Sequence, residues 1–425
     1  MSTETADKTE VPGLWRNRDF RLLWAGQSLS LVGSQVTLVA MPLVAVTLLA
    51  ASPAQMGVLS ALERLPFVLI LFVGVWVDRV RRRPLLVATD LARGVLLASV
   101  PVLFLADGLT LAWLCAVVVL VGACQVVFDV ADLAYLPSLV DKRRLTEANS
   151  KIQVSYSVAQ IAGPGLVALL LGWFSAAVVI VIDSVTFLVS AVACLLIRHR
   201  EVVPPRPGNT REPVLRSIKD GVRFVWGQPL LRPTLLATAF FMFFWTGIQT
   251  LYFPYAYREL HVPASAIALV LAAGAPAALV GAALGPKLVE RIGLGRMLLI
   301  SGVFGNGSFL LLPLATDPVW LAVAVLAAAQ LLFGVGMPLG VIVTMTIRQA
   351  VTPDRLQGRV AATFRAFGVG LSPLGALAAG FAAEPLGTRT TIAICAVGLL
   401  LPLVFQFLSP LVRLREVPAT EQEPA

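Results

Sequence analysis

Long apolar runs dominate this sequence, and they leave few folds open to it. Twelve runs each reach the ~20 residues that an α-helix needs to cross a hydrocarbon core of ~30 Å. Hydrophobic residues make up 58% of the chain and charged residues 13%. A transmembrane β-barrel would show short alternating segments, which the sequence lacks. We therefore predict an all-α polytopic membrane protein. The predicted spans 1 to 12 lie at roughly 21–50, 57–77, 84–106, 109–138, 151–172, 174–197, 233–257, 264–287, 297–316, 318–347, 358–383 and 388–411.

The basic residues are distributed unevenly between the two sides of these spans. If the N-terminus is cytoplasmic, 28 of the 33 Lys and Arg residues fall on the cytoplasmic side, and only Arg258 and Arg389 lie near the outer face. Cytoplasmic loops carry such an excess, and one missed span would invert everything after it. We expect a multi-pass protein in the plasma (inner) membrane of a prokaryote, with both termini cytoplasmic.

The second half of the sequence repeats features of the first. Glu290–Arg291 aligns with Asp78–Arg79 at an offset of 212, and Arg355–Leu356 aligns with Arg144–Leu145 at an offset of 211. Such a duplication predicts two six-span halves that rock about a site near the middle of the membrane. The predicted organisation is an N-tail at 1–19, a first half at 20–197, a linker with an amphipathic helix at 198–232, a second half at 233–412 and a C-tail at 413–425.

Several classes of chemistry lack their sequence signals. The four cysteines all fall within spans and form no close pairs, so we predict neither a disulfide nor a metal site. No nucleophile–base constellation stands out, and no P-loop is present, so we expect no enzyme, no cofactor and an ion gradient as the energy source. An anionic inner leaflet accounts for the net charge of +9 without nucleic acid. The expected partners of this monomer are a small amphipathic substrate and membrane lipid.

Three acids within the spans are candidates for proton coupling, because a charge in the membrane must be paired or face water. Glu63 lies in span 2, and Asp129 and Asp132 lie three residues apart in span 4, where two nearby carboxylates can share a proton. The alternatives are structural: Glu63 would pair with a basic neighbour, and the two aspartates would pair with Arg93 or Arg143.

Other polar and aromatic side chains predict a substrate cavity. Span 1 carries uncharged polar residues at helical spacing, and span 7 carries an aromatic patch with a few hydrogen-bonding groups, which suits a bulky amphipathic ligand. The alternatives are helix–helix packing for span 1 and an aromatic interface belt for span 7. The cavity candidates are Gln27, Ser34, Gln35, Phe241, Trp245, Gln249, Tyr252, Gln330 and Arg365.

The connection between spans 2 and 3 reads GVWVDRVRRRP, from Gly74 to Pro84. Its pattern Gly-x-x-x-Asp-Arg-x-x-Arg-Arg resembles the same loop of major facilitator superfamily transporters, although Arg81 stands where the family usually has a second glycine. The resemblance implies a latch in which Asp78 meets the start of span 11, where we predict Thr352 as the helix cap. The gating candidates are Gly74, Asp78, Arg79, Arg82, Arg83, Asp90, Arg93, Glu290, Arg291 and Arg359.

A second stretch resembles one branch of that superfamily, the enterobactin-exporter-like and macrolide-efflux-like proteins. The resemblance rests on Ala131, Ala134, Pro137, Leu139, Val140, Leu145, Ala148, Asn149, Gly163, Pro164, Asp183, Phe187 and Ser190. It implies proton-coupled export of a drug, a macrolide-like natural product or a siderophore by alternating access. A lipid flippase (including a lysophospholipid flippase) of the same fold and a non-transporting sensor are the alternatives.

Overall fold

Twelve helical spans make up the architecture. The computed structural model describes residues 14–77, 79–199, 201 and 214–414, and all regular structure within these ranges is helical. Eleven helices in these ranges are long and apolar enough to cross a membrane. The remaining span is span 2, which covers 53–77. In it, a 3₁₀ segment at Leu65–Leu69 separates the helix Pro53–Arg64 from the helix Ile70–Val77. Pro66 lies in that segment and has no N–H for the helical ladder. The all-α prediction with twelve spans is confirmed.

The spans follow one another with short connections. The end of the bundle that carries the 2–3, 4–5, 8–9 and 10–11 connections is called the basic end, and the opposite end is called the far end. Besides span 2, the bounds in order are Arg18–Leu48, Arg82–Leu105, Leu111–Leu139, Leu145–Leu170, Ala176–Leu196, Leu231–Glu259, Ala264–Ile292, Leu294–Leu314, Val319–Val351, Asp354–Leu386 and Thr388–Phe407. A linker helix, Val214–Gly227, lies between spans 6 and 7.

Local sequence signals set the starts of several spans. Asn17 caps span 1, because its side-chain oxygen accepts hydrogen bonds from the N–H groups of Asp19 and Phe20 at 3.0 and 3.1 Å. The Asn17 amide also donates to the carbonyl of Leu139 at 3.0 Å, which ties span 1 to the end of span 4. Ser52 and Gln55 form a capping box at the start of span 2.

Among the described residues, the two halves share a buried apolar cluster only at the far end. This cluster combines Val44 and Val46 of span 1 with Ile248 and Leu251 of span 7. At the basic end, the described apolar residues form one cluster within the first half and two within the second. Because helices in a membrane are held together by close packing of their side chains, this distribution joins the halves at the far end and leaves them separate at the basic end.

Glycines on spans 2 and 11 show the same asymmetry. A Cβ added at Gly57 would lie 2.9 Å from the carbonyl oxygen of Ala376 and 3.0 Å from the Cα of Gly380, so the two backbones touch near the far end. A Cβ at Gly74, toward the basic end of span 2, would meet no heavy atom within 4 Å. Span 11 packs extensively against Pro53–Arg64 of span 2 but makes almost no contact with Ile70–Val77. Spans 2 and 11 therefore diverge toward the basic end, which leaves space between the halves at that end.

The linker helix packs on the second half. Its Val225 is buried against Val360 and Phe364 of span 11, and its Asp220 accepts a hydrogen bond from the Arg359 guanidinium at 3.1 Å. Lys219 and Arg223 are exposed, as expected for an amphipathic helix. Residues 202–213 and the side chains of 214–218 lie outside the described part of the chain.

Candidate functional site

A buried arginine organises the polar interior of the first half. Arg93 of span 3 is 1% exposed and lies between the rings of Phe128 and Phe187, with its guanidinium carbon 4.4 and 4.1 Å from their centroids. It donates hydrogen bonds to Asp90 one turn earlier and to the side-chain oxygen of Gln125. The ion pair and the two cation–π contacts offset part of the cost of burying this charge.

The two aspartates of span 4 have separate amide partners. Gln125 donates to Asp129 at 2.7 Å, which extends the Arg93 network by one residue. Gln27 of span 1 donates to Asp132. Both aspartates are half-buried. Neither makes a salt bridge with Arg93 or Arg143 among the described residues, so the predicted direct ion pairs are not formed; Gln125 stands between Arg93 and Asp129.

A cation of the second half faces this acidic region. Arg365 lies in span 11 and is exposed, and its charge is close enough to interact with that of Asp129. Because spans 4 and 11 belong to different halves, this interaction crosses the space between them. The site therefore combines two carboxylates on one wall with a guanidinium on the other.

Glu63 has a different environment from the span 4 aspartates. It is half-buried in span 2, and a Cβ added at Gly122 of span 4 would lie 3.2 Å from its backbone carbonyl oxygen. No hydrogen bond between described residues joins the Glu63 side chain to Asp129 or Asp132. The proton-coupling candidates thus occupy two distinct positions, one at Glu63 and one at the span 4 aspartates.

The polar residues of span 1 divide between packing and the interior. Gln27 is buried on Asp132. Gln35 packs against Gly163 of span 5, where an added Cβ would collide with that of Gln35. Ser34 is half-buried. Gly163 thus allows spans 1 and 5 to approach closely, which is the usual role of small residues at membrane helix interfaces.

The aromatic patch of span 7 belongs to a ring cluster of the second half. Trp245 stacks on Phe333 of span 10 and on Phe241, with centroids 4.6 and 6.0 Å apart. It also meets Phe309 of span 9 edge-on at 5.2 Å. Phe241 and Trp245 remain half-buried, so their rings are available beyond the cluster. The contacts with rings of spans 9 and 10 fix the orientation of the Trp245 ring, which span 7 alone does not determine.

Three other cavity candidates lie in the second half. Tyr252 is 3% exposed, and its hydroxyl has no hydrogen-bond partner among the described residues. Gln249 is half-buried. The amide of Gln330 packs on Gly274 of span 8, where an added Cβ would lie 2.6 Å from its nitrogen.

Two arginines of the 2–3 connection bind the end of span 6. Arg82 forms a salt bridge with Glu201 at 3.1 Å and donates its backbone N–H to the same carboxylate at 2.7 Å. Arg83 donates to the carbonyls of Cys194 and Leu195 at 3.0 and 2.5 Å. Arg79 is exposed, and Asp78 lies outside the described residues.

The corresponding parts of the second half differ. Glu290 and Arg291 are exposed at the end of span 8. The prediction that Thr352 caps span 11 is wrong: the helix begins at Asp354, and the Thr352 hydroxyl donates to the carbonyl of Arg348 at 2.6 Å. Since a hydroxyl that donates to the preceding helix caps its end, Thr352 belongs to span 10 rather than to the start of span 11.

A set of hydrogen bonds joins the halves at the far end and was not predicted from the sequence; it is called the clasp. The carboxylate of Glu384, at the end of span 11, accepts hydrogen bonds from the Ser52 hydroxyl at 2.7 Å and from the Ala54 N–H at 3.1 Å. Arg258, at the end of span 7, donates to the carbonyls of Ala51 and Val46 at 2.8 and 3.0 Å. One feature of the sequence could have indicated this contact: Arg258 is one of only two cations predicted near the outer face.

The fold and this polar interior define a multi-pass membrane transporter. The family model described as the Major Facilitator Superfamily matches residues 23–373 and, again, 235–425. The chain belongs to the major facilitator superfamily. The nucleoside transporter NupG has the same fold, with a TM-score of 0.74 and 12% identity over 92% of this chain and 99% of NupG.

Several relatives of the chain are described as exporters or efflux pumps. The chain is 27% identical to the multidrug efflux pump Tap of Mycolicibacterium fortuitum over 82% of this chain and 84% of Tap. It is 28% identical to the enterobactin exporter EntS of Salmonella typhimurium over 68% of this chain and 67% of EntS. Macrolide efflux protein A of Streptococcus pyogenes is 24% identical over 55% of this chain and 57% of that protein. These relatives confirm the resemblance to the exporter branch.

Proposed function

We propose that the protein exports a small amphipathic molecule across the bacterial inner membrane in exchange for protons. The observation that carries this proposal is the placement of Asp129 and Asp132, on amide partners, in the interior that opens toward the basic end. The proposal takes the basic end as cytoplasmic, so that substrate enters from the cytoplasm. The similarity to Tap and EntS supports a drug-like or siderophore-like substrate.

In the proposed cycle, a carboxylate among Asp129, Asp132 and Glu63 gains a proton when the halves open outward and releases it when they open inward. The half-buried rings of Phe241 and Trp245 supply the apolar wall for the substrate. Ser34 and Gln249, which are half-buried, supply hydrogen bonds.

The available energy suffices for uphill export. A potential of ~100 mV supplies ~2.3 kcal/mol per charge, and one pH unit adds ~1.4 kcal/mol. Exchange of one proton for one neutral molecule therefore supports a substrate gradient of roughly several hundred-fold.

Everted membrane vesicles with an inside-acid pH gradient test this function. We expect one class among macrolides, siderophores, dyes and lysolipids to dissipate the gradient. Asp129→Asn or Asp132→Asn, which keep the side chain's shape and one acceptor oxygen, should abolish that dissipation. Glu63→Gln tests the third acid in the same assay, and Arg296→Gln, an exposed residue outside the site, serves as the matched control.

Full activity in Asp129→Asn, Asp132→Asn and Glu63→Gln would contradict the coupling proposal. Dissipation by lysolipids alone, with dependence on the headgroup, would indicate a flippase. Ligand binding without any dissipation would indicate a sensor.

We also propose that the 2–3 connection gates the basic end. Asp78 and Arg79, with Gly74, would meet the start of span 11 near Arg359 when the halves close at that end, and Glu290–Arg291 would act at the corresponding place in the second half. Asp90 and Arg93 would anchor the loop from within span 3. We expect Asp78→Asn to slow transport while equilibrium binding of the substrate persists; equal loss of binding would contradict a gating role.

A further inference from the structure

A groove lies on the lipid-facing side of the first half, at the basic end. It has a volume of ≈ 790 Å³ and runs between the start of span 3 and the chain that leaves span 6. Its rim carries Arg81, Arg83 and His199, and its floor carries Val87, Leu91 and Leu195. The groove is separate from the interior between the two halves, where Asp129 and Asp132 lie.

The charges at the groove leave an excess of positive charge. Glu201 also lines it, but its carboxylate is already paired with Arg82 at 3.1 Å. Arg83 donates only to neutral carbonyl groups in its two hydrogen bonds with span 6. Arg81 is exposed and forms no ion pair with the residues that the structure describes. Two guanidinium charges therefore remain uncompensated by described partners.

The floor continues into the membrane as an exposed apolar lane. Leu91 and Val95 of span 3 are exposed, and so are Val192 and Leu195 of span 6. Since both helices cross the membrane, these side chains contact lipid. From Arg83 to Leu91 the helix rises roughly 12 Å, at ~1.5 Å per residue, which is room for a good part of an acyl chain.

The corresponding place in the second half is covered. At the repeat offset, Gly293 takes the place of Arg81. The chain after span 12 lies over the start of span 9: the Gly295 N–H donates to the Leu414 carbonyl at 2.8 Å, and a Cβ at Gly295 would collide with the Leu411 carbonyl oxygen. Among the described residues, the open groove with its arginine therefore has no counterpart at this place in the second half.

We propose that this groove binds one anionic phospholipid of the leaflet at the basic end, which is the inner leaflet in the proposed orientation. The lipid phosphate lies on Arg81 and Arg83, and an acyl chain follows Val87, Leu91 and Leu195. A basic rim above an apolar lane at membrane depth matches the two parts of such a lipid and neither a free anion nor a soluble protein.

Native mass spectrometry of the delipidated full-length protein tests the site. We expect phosphatidylglycerol to bind more tightly than phosphatidylcholine with the same acyl chains. Arg81→Gln should weaken phosphatidylglycerol binding about fivefold, since each basic residue near an anionic surface contributes ~1 kcal/mol, and Arg81→Lys should restore most of it. Leu91→Trp, which fills the floor, should weaken binding of both lipids.

Arg296→Gln is the control, because it removes an exposed arginine from the corresponding end of the second half, and it should leave the lipid affinities unchanged. Equal affinities for the two lipids, or wild-type affinity in Arg81→Gln, would overturn the proposal. It would also be overturned if inorganic phosphate displaced phosphatidylglycerol and Leu91→Trp had no effect, because the site would then hold a free anion.

Discussion

Arg93 shows how a single buried charge constrains three spans. Its guanidinium contacts Asp90 on its own helix, Gln125 and Phe128 on span 4, and Phe187 on span 6. Each partner limits where the next helix can lie, because a planar guanidinium donates its hydrogen bonds in fixed directions within its plane and stacks on aromatic rings with its faces. The cluster therefore sets the relative positions of spans 3, 4 and 6.

At this scale we expect Arg93→Met to destabilise the protein by about 3–5 kcal/mol, because it leaves Asp90 buried without its counter-charge. The double variant Asp90→Leu with Arg93→Met should recover part of that loss, since it removes both charges together. Thermal unfolding in detergent measures both changes. Equal unfolding temperatures for the two variants would show that the ion pair does not decide the stability of this region.

Sequence reasoning placed Asp90 and Arg93 together because they are three residues apart on one helix. It did not find Phe128, Phe187 or Gln125 as partners, since contacts between helices depend on rotation and tilt, which a single sequence leaves open. The same limit explains why the structural alternative for Asp129 and Asp132 named Arg93 or Arg143 as partners and not Gln125 and Gln27. Thr352 was misassigned because a threonine before a proline occurs both at the end of one helix and at the start of the next, and the local sequence does not distinguish the two positions.

Spans 2 and 11 hold the halves together through small residues at the far end. The close approach of Gly57 to Gly380 places Glu384 beside Ser52 and Ala54, at the start of span 2. The N-terminus of a helix favours a negative charge, so this carboxylate suits its position. The glycine packing and the hydrogen bonds of Glu384 thus both join span 2 to span 11.

We expect Gly380→Val to force these spans apart at the far end, at a cost of about 1–3 kcal/mol in the arrangement described here. Spin labels at Trp173 and Trp320, which are exposed on opposite halves, would report longer distances in a background without the four native cysteines. Gly370→Val, on the same span with no heavy atom within 4 Å of an added Cβ, should leave the distance unchanged. Identical distances in Gly380→Val and wild type would contradict the role assigned to this contact.

For the molecule as a whole, the hydrophobic pattern was sufficient to predict twelve spans, and the resemblance of the 2–3 connection to that of known transporters predicted the major facilitator fold. The Pro66 interruption of span 2 and the far-end clasp of Arg258 and Glu384 were not predicted. A clasp of this kind joins residues more than 200 positions apart in sequence, and neither side carries a local motif. The end at which the two halves separate is therefore decided by the apolar clusters and by the contacts between distant residues, and it cannot be predicted from composition.

In the proposed transport cycle, proton movement and substrate movement are coupled through the acids of span 4. Purified protein in liposomes, with a substrate from the vesicle assay and an imposed pH gradient, tests it most directly. We expect the substrate to accumulate on the acidic side up to roughly tenfold per pH unit for one-to-one exchange, and Asp129→Asn or Asp132→Asn to allow only equilibration. Equal accumulation with and without the pH gradient, in wild type, would contradict the account.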